Sequence, residues 1–373
     1  MSKDKIKIAV FGHKTIPSRE GGIEIVIEEV YTRLVKRGYY ITCFNRKKKN
    51  SKNINEFKEI KIKNVCTYNK KGFAALTSSF FAALKSAFGN YDIVHIHAEG
   101  PAFFSFIPKL LGKKVVCTIH GLDWQREKWE GSLGAKFIKI GEKSAVKFAD
   151  QIIVLSSAMK DYFEKTYSRE TVFIPNGVSK PGIIEPEEIS KKYGLKKDDY
   201  ILFLARIVPE KGLGYLVPAF KKLKTNKKIV IAGGASDTEE YMKHIKKICE
   251  NDEKFIFTGF VNGRILEELY SNAYFYVLPS DLEGMPLSLL EAMSYGNCCL
   301  VSDIPECKEV VQDNGITFRK GNVKDLYNKM NLLCKDPEIV EKYKSTAAGY
   351  ICNKYSWEKT ADMTSDLYER LMR

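Results

Sequence analysis

The sequence predicts an α/β fold made of two doubly wound, parallel-sheet domains. Short apolar runs alternate along the chain with segments of helical period, and such alternation places helices on both faces of a parallel sheet. With 373 residues, the chain is long for one hydrophobic core and suits two domains. Its content of 44% hydrophobic and 28% charged residues is typical of a globular protein.

The alternating pattern occurs twice. In the first half, strands are predicted at 6–11, 39–44, 93–97, 114–120 and 151–155, and helices at about 23–37, 73–88 and 137–148. A turn-rich segment at 175–193 predicts a linker. Further strands are then predicted at 200–205, 228–232, 255–258, 274–278 and 298–301. We therefore expect domains at 1–178 and 179–355, with a C-terminal helix at 356–373 that packs on the first domain through an apolar stripe.

A strand, a turn and a helix at 274–293 carry the clearest chemical signal. Gly284 allows a tight turn, and Pro286 suits the first position of a helix. Glu283 then lies in the turn, and Glu291 lies about two helical turns in, ~8 Å along the axis at ~1.5 Å per residue. Unpaired amides at the helix start favour a phosphate, and the two carboxylates suit sugar and ribose hydroxyls. The same spacing also fits a plain crossover whose glutamates face solvent.

Arg206 and Lys211 are predicted to leave the carboxyl end of the second domain's first strand. Both could reach a diphosphate there, although a solvated helix start fits the same residues. The pair Gly233-Gly234, like the earlier pair at 21–22, could let backbone approach a nucleotide or could form an ordinary turn. His120, at a strand end, is either a catalytic residue or a hydrogen-bonded core residue. No G-x-G-x-x-G or Walker loop is present, which excludes dinucleotide and P-loop sites.

Charge is distributed unevenly along the chain. Residues 1–180 contain 32 Lys and Arg against 17 Asp and Glu, whereas residues 181–373 contain 28 against 29. A basic half beside a neutral half indicates that the first domain meets an anionic surface. The run Arg46-Lys47-Lys48-Lys49 lacks interleaved aromatic residues, so nucleic acid is not the expected partner, and a solvated loop also fits the run.

Several classes of protein are not expected. No run of about eighteen apolar residues exists, so no membrane-spanning helix is predicted. The start of the sequence leads directly into a strand, so we expect no signal peptide. The nine cysteines lack metal-binding spacing, and we expect reduced core thiols in a cytosolic protein.

Taken together, the motifs resemble the retaining nucleotide-sugar glycosyltransferases of glycosyltransferase family 4, which have the GT-B fold of two Rossmann-like domains facing across a cleft. The second-half motifs are Ala205-Arg206-x-x-Pro209-Glu210-Lys211-Gly212, Gly233-Gly234 and Glu283-Gly284-x-Pro286 with Glu291. The segments Pro17-Ser18-Arg19-Glu20-Gly21-Gly22 and His120-Gly121-Leu122-Asp123-Trp124 are similar to a subgroup of capsule and cell-wall enzymes that includes rhamnosyltransferases. The resemblance spans nearly the whole chain.

The resemblance implies a role for each candidate residue. Glu283 would contact the donor sugar, Glu291 the ribose, and Arg206 and Lys211 the leaving diphosphate, while His120 would position the sugar. The remaining donor-binding residues would be Gly21, Gly22, Gly233, Gly234, Gly284, Met285, Pro286, Leu287 and Ser288.

The implied chemistry is a front-face substitution with retention of configuration, in which the leaving phosphate takes the acceptor's proton. No metal and no other cofactor is expected, since cations of the protein neutralise the diphosphate and the chain has no D-x-D motif. The segment Gly233-Gly234-Ala235-Ser236 departs from the family, which often has an acidic residue after the glycines, so base recognition stays open.

The expected function is therefore sugar transfer from a nucleotide-sugar, with a UDP-sugar favoured over dTDP-rhamnose, to a growing lipid-linked polysaccharide. The alternatives are a GT-B-like nucleotide-sugar epimerase and a non-catalytic polybasic module that binds membranes. A phosphorylase is not expected, because no lysine in a recognisable pyridoxal-phosphate setting is present.

We expect the first domain to dock on the cytoplasmic face of the cell membrane through its basic residues, including 46–49, Lys61, Lys63, Lys70 and Lys71, beside apolar segments at 72–84 and 101–106.

Overall fold

The computed structural model describes residues 5–47, 54–68, 70, 73–126, 131–236 and 238–373. They form two compact units, one made of residues up to Asn176 together with Trp357–Arg373 and the other of Gly177–Ser356. The chain passes between the units within two residues of the positions that the sequence predicts. Lys48, Lys49 and Lys71 of the expected basic surface lie outside the described residues.

The first unit contains an eight-stranded sheet. Its strands are β1 (Lys7–Phe11), β2 (Tyr40–Arg46), β3 (Glu56–Phe57), β4 (Ile60–Val65), β5 (Ile93–His97), β6 (Lys114–Ile119), β7 (Gln151–Val154) and β8 (Val172–Phe173). Its first six helices are α1 (Gly22–Lys36), α2 (Phe73–Phe88), α3 (Glu99–Ala102), α4 (Phe106–Leu110), α5 (Leu133–Phe148) and α6 (Ser157–Tyr167). The strand order is β3-β4-β2-β1-β5-β6-β7-β8, and all pairs except β3 with β4 are parallel. The direction of winding reverses between β1 and β5.

The second unit contains a six-stranded parallel sheet. Its strands are β9 (Tyr200–Leu204), β10 (Lys228–Ala232), β11 (Phe255–Gly259), β12 (Phe275–Leu278), β13 (Cys299–Ser302) and β14 (Ile316–Phe318). Its helices are α7 (Glu188–Tyr193), α8 (Leu213–Lys221), α9 (Glu239–Cys249), α10 (Gly263–Ser271), α11 (Leu287–Ser294), α12 (Pro305–Val311), α13 (Val323–Lys335) and α14 (Pro337–Lys354). The strand order is β11-β10-β9-β12-β13-β14, which reverses between β9 and β12.

The C-terminal helix α15 (Trp357–Met372) belongs to the first unit, where it packs on α1. Leu367 and Tyr368 are buried on its inner face. Met363 is 37% exposed and so lies at the edge of the apolar stripe that the sequence indicates.

The predicted linker is shorter in the structure. Residues from Gly177 onward belong to the second unit, because α7 packs on α10 and Asn272 Nδ2 donates to Ile184 O at 3.0 Å. The sequence prediction also missed β4, whose alternating Lys61 and Lys63 are exposed between buried isoleucines. β4 alternates buried and exposed side chains, as expected for a strand with one buried face. Its lysines make the segment look like a basic surface, and this hides the strand pattern.

All nine cysteines are free thiols; six are buried, and Cys66 is exposed. No helix of the described residues is long and apolar enough to cross a lipid bilayer.

Candidate active site

The second-unit candidates lie at the point where the sheet reverses its winding. Arg206 and Lys211 follow β9, and Glu283 and Glu291 follow the neighbouring strand β12. The carboxyl ends of parallel strands share one edge of a sheet, and ligands of doubly wound folds bind at this reversal. Four charged residues from two distant stretches of sequence are therefore brought to one edge.

Arg206 lies in an extended segment that continues the pairing of β9 with β10. The amide of Ile207 donates to Gly234 O at 2.9 Å. Gly233 has a φ of +141°, and a Cβ there would lie 1.9 Å from Ala205 O, so only glycine permits this close approach. The glycine pair thus holds the backbone that carries Arg206, and its approach to a nucleotide stays a prediction.

Lys211 and Glu283 form an ion pair between Lys211 Nζ and Glu283 Oε1. Their side chains are only 12% and 7% exposed. Removing a charge from water is costly, so each of these groups depends on the other to offset that cost. The sequence assigned the two residues to different parts of a donor, and the structure shows in addition that they contact each other.

Two backbone contacts fix the geometry of this ion pair. The amide of Asp281 donates to Glu210 O at 2.8 Å, which joins the two loops next to the charged side chains. Gly212 has a φ of +74°, and a Cβ there would lie 1.9 Å from Pro279 O. The loop after β9 can therefore lie against the loop after β12 only because residue 212 is glycine.

Glu291 lies closer to the start of its helix than the sequence predicts. Helix α11 begins at Leu287, so Pro286 is the preceding residue rather than the first helical one, and Glu291 lies little more than one turn in. Tyr270 OH donates to Glu291 Oε2 at 3.0 Å. The carboxylate is thereby held in place from α10, a contact that no spacing in the sequence predicts.

The rest of the predicted donor loop is largely enclosed. Gly284, Met285 and Pro286 are buried, whereas Leu287 and Ser288 are half-buried. These residues form the start of α11, the helix end that carries a partial positive charge.

Asp281 is held differently from its neighbour Glu283. Tyr215 OH donates to Asp281 Oδ2 at 2.8 Å. The two carboxylates that come nearest to a D-x-D motif thus have separate partners. Across the described residues, no group of three or more His, Cys, Asp or Glu side chains is arranged to hold a metal ion.

In the first unit, His120 lies at the end of β6 beside other histidines. His95 and His97 alternate on β5, so they share one face of the sheet, and His97 pairs in register with Thr118 of β6. A 2.9 Å hydrogen bond joins His97 Nδ1 to His120 Nε2. The ring centroids of His95 and His97 are 4.5 Å apart, and those of His97 and His120 are 5.2 Å apart.

Two tyrosines from helices complete this cluster. Tyr31 OH of α1 lies 2.8 Å from both His97 Nε2 and His95 Nδ1. Tyr368 OH of α15 lies 2.5 Å from the same His95 nitrogen. We call Tyr31, His95, His97, Thr118, His120 and Tyr368 the histidine network.

Burial keeps the histidine network uncharged. Desolvation lowers the pKa of His95 to about 3 and that of His120 to about 4, although Asp123 and Glu24 raise the latter. Desolvation, followed by the neighbouring histidines, holds the pKa of His97 well below its usual value. All three imidazoles are therefore neutral near pH 7.

The loop that follows His120 is tied to two buried carboxyl groups. Glu99 Oε2 accepts the amide of Asp123 at 2.8 Å, and Trp124 Nε1 donates to Glu142 Oε2 at 2.9 Å. Burial, and then the hydrogen bond to Glu142, raise the pKa of Glu99 well above its usual value. Burial also opposes ionisation of Glu142, but bonds from Glu99, from Lys139 and from two tyrosines lower its pKa. Glu99 is therefore neutral and lies beside an ionised Glu142.

Gly21 and Gly22 lie at the start of α1, with Gly21 as the residue that precedes the helix. Glu24 in the first turn accepts the amide of Lys14 at 2.8 Å through its Oε1, which fastens the loop after β1 to the helix. The glycines are therefore at the carboxyl edge of the first sheet, while their contact with a donor phosphate stays a prediction.

The sequence singled out His120 but none of its hydrogen-bonding partners in the histidine network. His95 and His97 carried a usable signal, because alternating histidines in a buried strand must face the same layer. Tyr31 and Tyr368 carried none, since helical tyrosines of an apolar stripe are ordinarily core residues.

Two family models match the chain. Residues 20–180 match the model described as Glycosyltransferase Family 4, and residues 185–358 match the model described as Glycosyl transferases group 1. An uncharacterised glycosyltransferase of Methanocaldococcus jannaschii is 27% identical over 297 residues, which cover 76% of each chain.

Solved structures share the fold over the whole chain. Sucrose-phosphate synthase of Thermosynechococcus elongatus superposes with a TM-score of 0.86 at 20% identity, covering 99% of both chains. HepE of Anabaena, solved in complex with UDP-glucose, has a TM-score of 0.80 at 15% identity and covers 98% of this chain and 100% of its own. The narrower resemblance to rhamnosyltransferases of capsule assembly is not supported by these matches. The chain therefore consists of a glycosyltransferase family 4 domain followed by a group 1 glycosyltransferase domain, and it is a glycosyltransferase of the GT-B fold.

Proposed function

We propose that this glycosyltransferase moves a sugar from a UDP-sugar to a growing, lipid-linked polysaccharide with retention of anomeric configuration. The observation that carries the proposal is the buried pair of Lys211 and Glu283, with Arg206 and Glu291, where the second sheet reverses its winding. HepE, which shares the fold, was solved with UDP-glucose, and this supports a uridine nucleotide as the first donor to test.

In the proposed complex, the second unit binds the donor. Arg206 and Lys211 neutralise the diphosphate, and the amides from Gly284 to Ser288 contribute the partial positive charge at the start of α11. Glu291 accepts hydrogen bonds from the ribose. Glu283 binds the sugar hydroxyls. Because Lys211 and Glu283 contact each other in the structure, the diphosphate would have to share or replace that ion pair.

The first unit is proposed to supply His120 to the sugar and to bind the acceptor. In the reaction, the bond from the anomeric carbon to the diphosphate oxygen breaks, and a bond to the acceptor oxygen forms on the same face. The acceptor's proton passes to the departing phosphate oxygen. Catalysis then consists of positioning and of stabilising negative charge on the leaving group, which the protein's cations do without a metal.

Release of nucleoside diphosphate tests this reaction. The protein is incubated with UDP-, dTDP- and GDP-sugars, with and without a polyprenyl-linked glycan acceptor, in the presence or absence of EDTA. We expect UDP release that needs acceptor, an α-linked product from an α-linked donor, and the same rate with EDTA. Interconversion of the sugars would indicate the epimerase, and binding without turnover would indicate the non-catalytic module. An inverted product or strict metal dependence would contradict the mechanism.

We propose further that the first unit meets an anionic membrane through the outer faces of α2, α4 and α5. The exposed side chains of this docking face combine large apolar groups with lysines; they are Phe73, Phe80, Phe88, Leu110, Leu133, Ile140, Lys85, Lys136, Lys143 and Lys147. Within these three helices the single carboxylate, Glu142, is fully buried. Basic residues near an anionic leaflet contribute about 1 kcal/mol each, so a few of them give reversible binding.

Sedimentation with liposomes tests the docking face. We expect binding to vesicles that contain anionic lipid, decreasing as salt rises, and lost when Lys136, Lys143 and Lys147 are changed to Glu. The matched control changes three exposed lysines of α9 in the second unit, Lys243, Lys246 and Lys247, to Glu. Equal binding to neutral and anionic vesicles, or equal effects of the two triple variants, would rule out this face.

A further inference from the structure

The histidine network links a strand end to the C-terminal helix through consecutive hydrogen bonds. Thr118 Oγ1 lies 2.7 Å from His95 Nε2, and His95 Nδ1 lies within bonding distance of the hydroxyls of both Tyr31 and Tyr368. Tyr31 then contacts His97 Nε2, and His97 Nδ1 contacts His120 Nε2. Since neutral imidazole has one N–H and one acceptor nitrogen, the tautomer of each ring constrains the next.

Counting hydrogens leaves two arrangements. Each of these five contacts needs a hydrogen between its two heavy atoms, and in a sixth contact Tyr368 O–H donates to Tyr31 O at 3.4 Å. If His95 Nδ1 lacked its hydrogen, its single in-plane lone pair would have to accept from two hydroxyls, at 2.8 and 2.5 Å. If His95 Nδ1 carries the hydrogen, one N–H is shared between two phenol oxygens, a three-centre geometry that is common in proteins.

The second arrangement determines the donor and the acceptor of each remaining hydrogen bond in the network. With His95 Nδ1–H shared by the two tyrosines, Thr118 donates to His95 Nε2. Tyr31 O then accepts from His95 and, at 3.4 Å, from Tyr368 O–H, so its own O–H donates to His97 Nε2. His97 must then hold its hydrogen on Nδ1 and donate it to His120 Nε2. His120 is left with its hydrogen on Nδ1, the nitrogen that takes no part in the bond to His97.

We propose that Tyr31, acting through His97, is a positioning residue that fixes His120 in the tautomer whose Nδ1 is a hydrogen-bond donor. A donor at this position suits an oxygen of the sugar or the phosphate, and an acceptor nitrogen would not serve a phosphate. This consequence for turnover rests on the proposed function, whereas the tautomer itself does not. The C-terminal helix takes part through Tyr368, which shares the hydrogen of His95.

Nitrogen NMR reads the tautomer without any activity measurement. The chain has five histidines, so the intact protein labelled with ¹⁵N-histidine gives few imidazole signals. A His120→Gln variant identifies the His120 signals. We expect the wild-type protein at pH 7 to show a protonated Nδ1 and an unprotonated Nε2 at His120. A protonated Nε2 at His120 would overturn the proposal on the wild-type protein alone.

Tyr31→Phe tests the source of the constraint. It removes the hydroxyl that donates to His97 but keeps the buried ring, so we expect His120 to become a mixture of tautomers. Tyr39→Phe is the matched control, because Tyr39 is also buried and its hydroxyl bonds to Ser365 of α15 at 2.7 Å, outside the histidine network. An unchanged His120 spectrum in Tyr31→Phe, or the same change in Tyr39→Phe, would overturn the role of Tyr31.

Kinetics then separate this proposal from the proposed function. If His120 donates to the substrate, kcat of Tyr31→Phe should fall about twofold to tenfold, in proportion to the fraction of molecules whose His120 has its hydrogen on Nδ1. Tyr39→Phe should keep wild-type turnover. A changed spectrum with unchanged kcat would uphold the tautomer and overturn the assigned role of His120. Turnover that falls equally in both variants would reflect packing and count against a positioning role for Tyr31.

Discussion

The carboxyl edges of the two sheets have the same topological position, but one carries charged side chains and the other carries neutral ones. In the second unit the edge carries charged groups, with Lys211 paired to Glu283 in a setting where neither side chain is more than 12% exposed. In the first unit the edge carries the histidine network, whose imidazoles burial keeps neutral. Both sites are buried, and they differ in whether a buried side chain has a side chain of opposite charge as its partner.

The difference lies in the partners. An opposite charge within hydrogen-bonding distance offsets the cost of removing an ion from water, as at Lys211 and Glu283. The histidines hydrogen-bond to hydroxyls and to one another, and burial outweighs the charges of Asp123 and Glu24 near His120, so the neutral forms are favoured. Under the proposed function, the charged edge would neutralise the leaving group and the neutral edge would orient the sugar by hydrogen bonds.

The largest expected effect comes from removing one member of the charged edge. Lys211→Ala, Glu283→Ala and Arg206→Ala should each lower turnover by roughly tenfold to a thousandfold, the range for losing a preorganised transition-state contact. Glu291→Ala should mainly weaken donor binding. Lys344→Ala is the control, because Lys344 is similarly buried, at 18% exposure, and pairs with Asp198 away from this edge.

A double variant sharpens this prediction. If Lys211 and Glu283 each bind the donor, Lys211→Ala/Glu283→Ala should be less active than either single variant, as measured by kcat/KM. If their mutual ion pair is all that matters, the double variant will match the singles, and separate donor contacts are wrong. Full activity in Lys211→Ala would contradict the assignment altogether.

The next effect tests whether loop contact organises the charged edge. Gly212→Ala should cost roughly 1–3 kcal/mol in stability and lower activity, because the new Cβ would meet Pro279 O and φ is positive there. Gly214→Ala, two residues later in α8, would place its Cβ 4.0 Å from the hydroxyl of Tyr241 and should be neutral or stabilising by about 0.4–1 kcal/mol. Thermal unfolding measures both, and equal effects would remove the special role of Gly212.

The smallest effect concerns the neutral edge and pH. The buried histidines have pKa values below the ordinary 6.5, so the unfolded chain binds more protons between about pH 4 and 6.5, and stability must fall as the pH falls through that window. Each such histidine contributes up to about 1.4 kcal/mol per pH unit. Denaturant unfolding at pH 7 and pH 5 should show a smaller loss in His95→Gln than in wild type.

The control for the pH prediction is His244→Gln, because His244 is exposed in the second unit. Its loss of stability between pH 7 and pH 5 should match that of the wild type. The same loss in His95→Gln would mean that the network is protonated in the folded protein.

The sequence alone determined the fold class and the position of most strands. Hydrophobic period is a local property, and it located α2 at Phe73–Phe88 and β5 at Ile93–His97 without error. Local chemistry also indicated where the charged edge lies, because Gly284 and Pro286 mark a turn before a helix, and Lys211 and Glu283 each follow a predicted strand. The linker was predicted too long and β4 was missed, because tertiary contacts decide whether a polar segment is structured.

Only the tertiary structure decided which side chains meet. Lys211 and Glu283 are 72 residues apart and His95 and Tyr368 are 273 apart, so no spacing rule connects them. The tautomer of a histidine depends on its partner's hydrogen, and its protonation depends on burial; both arise when α1 and α15 cover one face of the first sheet. A sequence specifies periods and turns over a few residues, whereas a hydrogen-bonded network requires the whole unit to be folded.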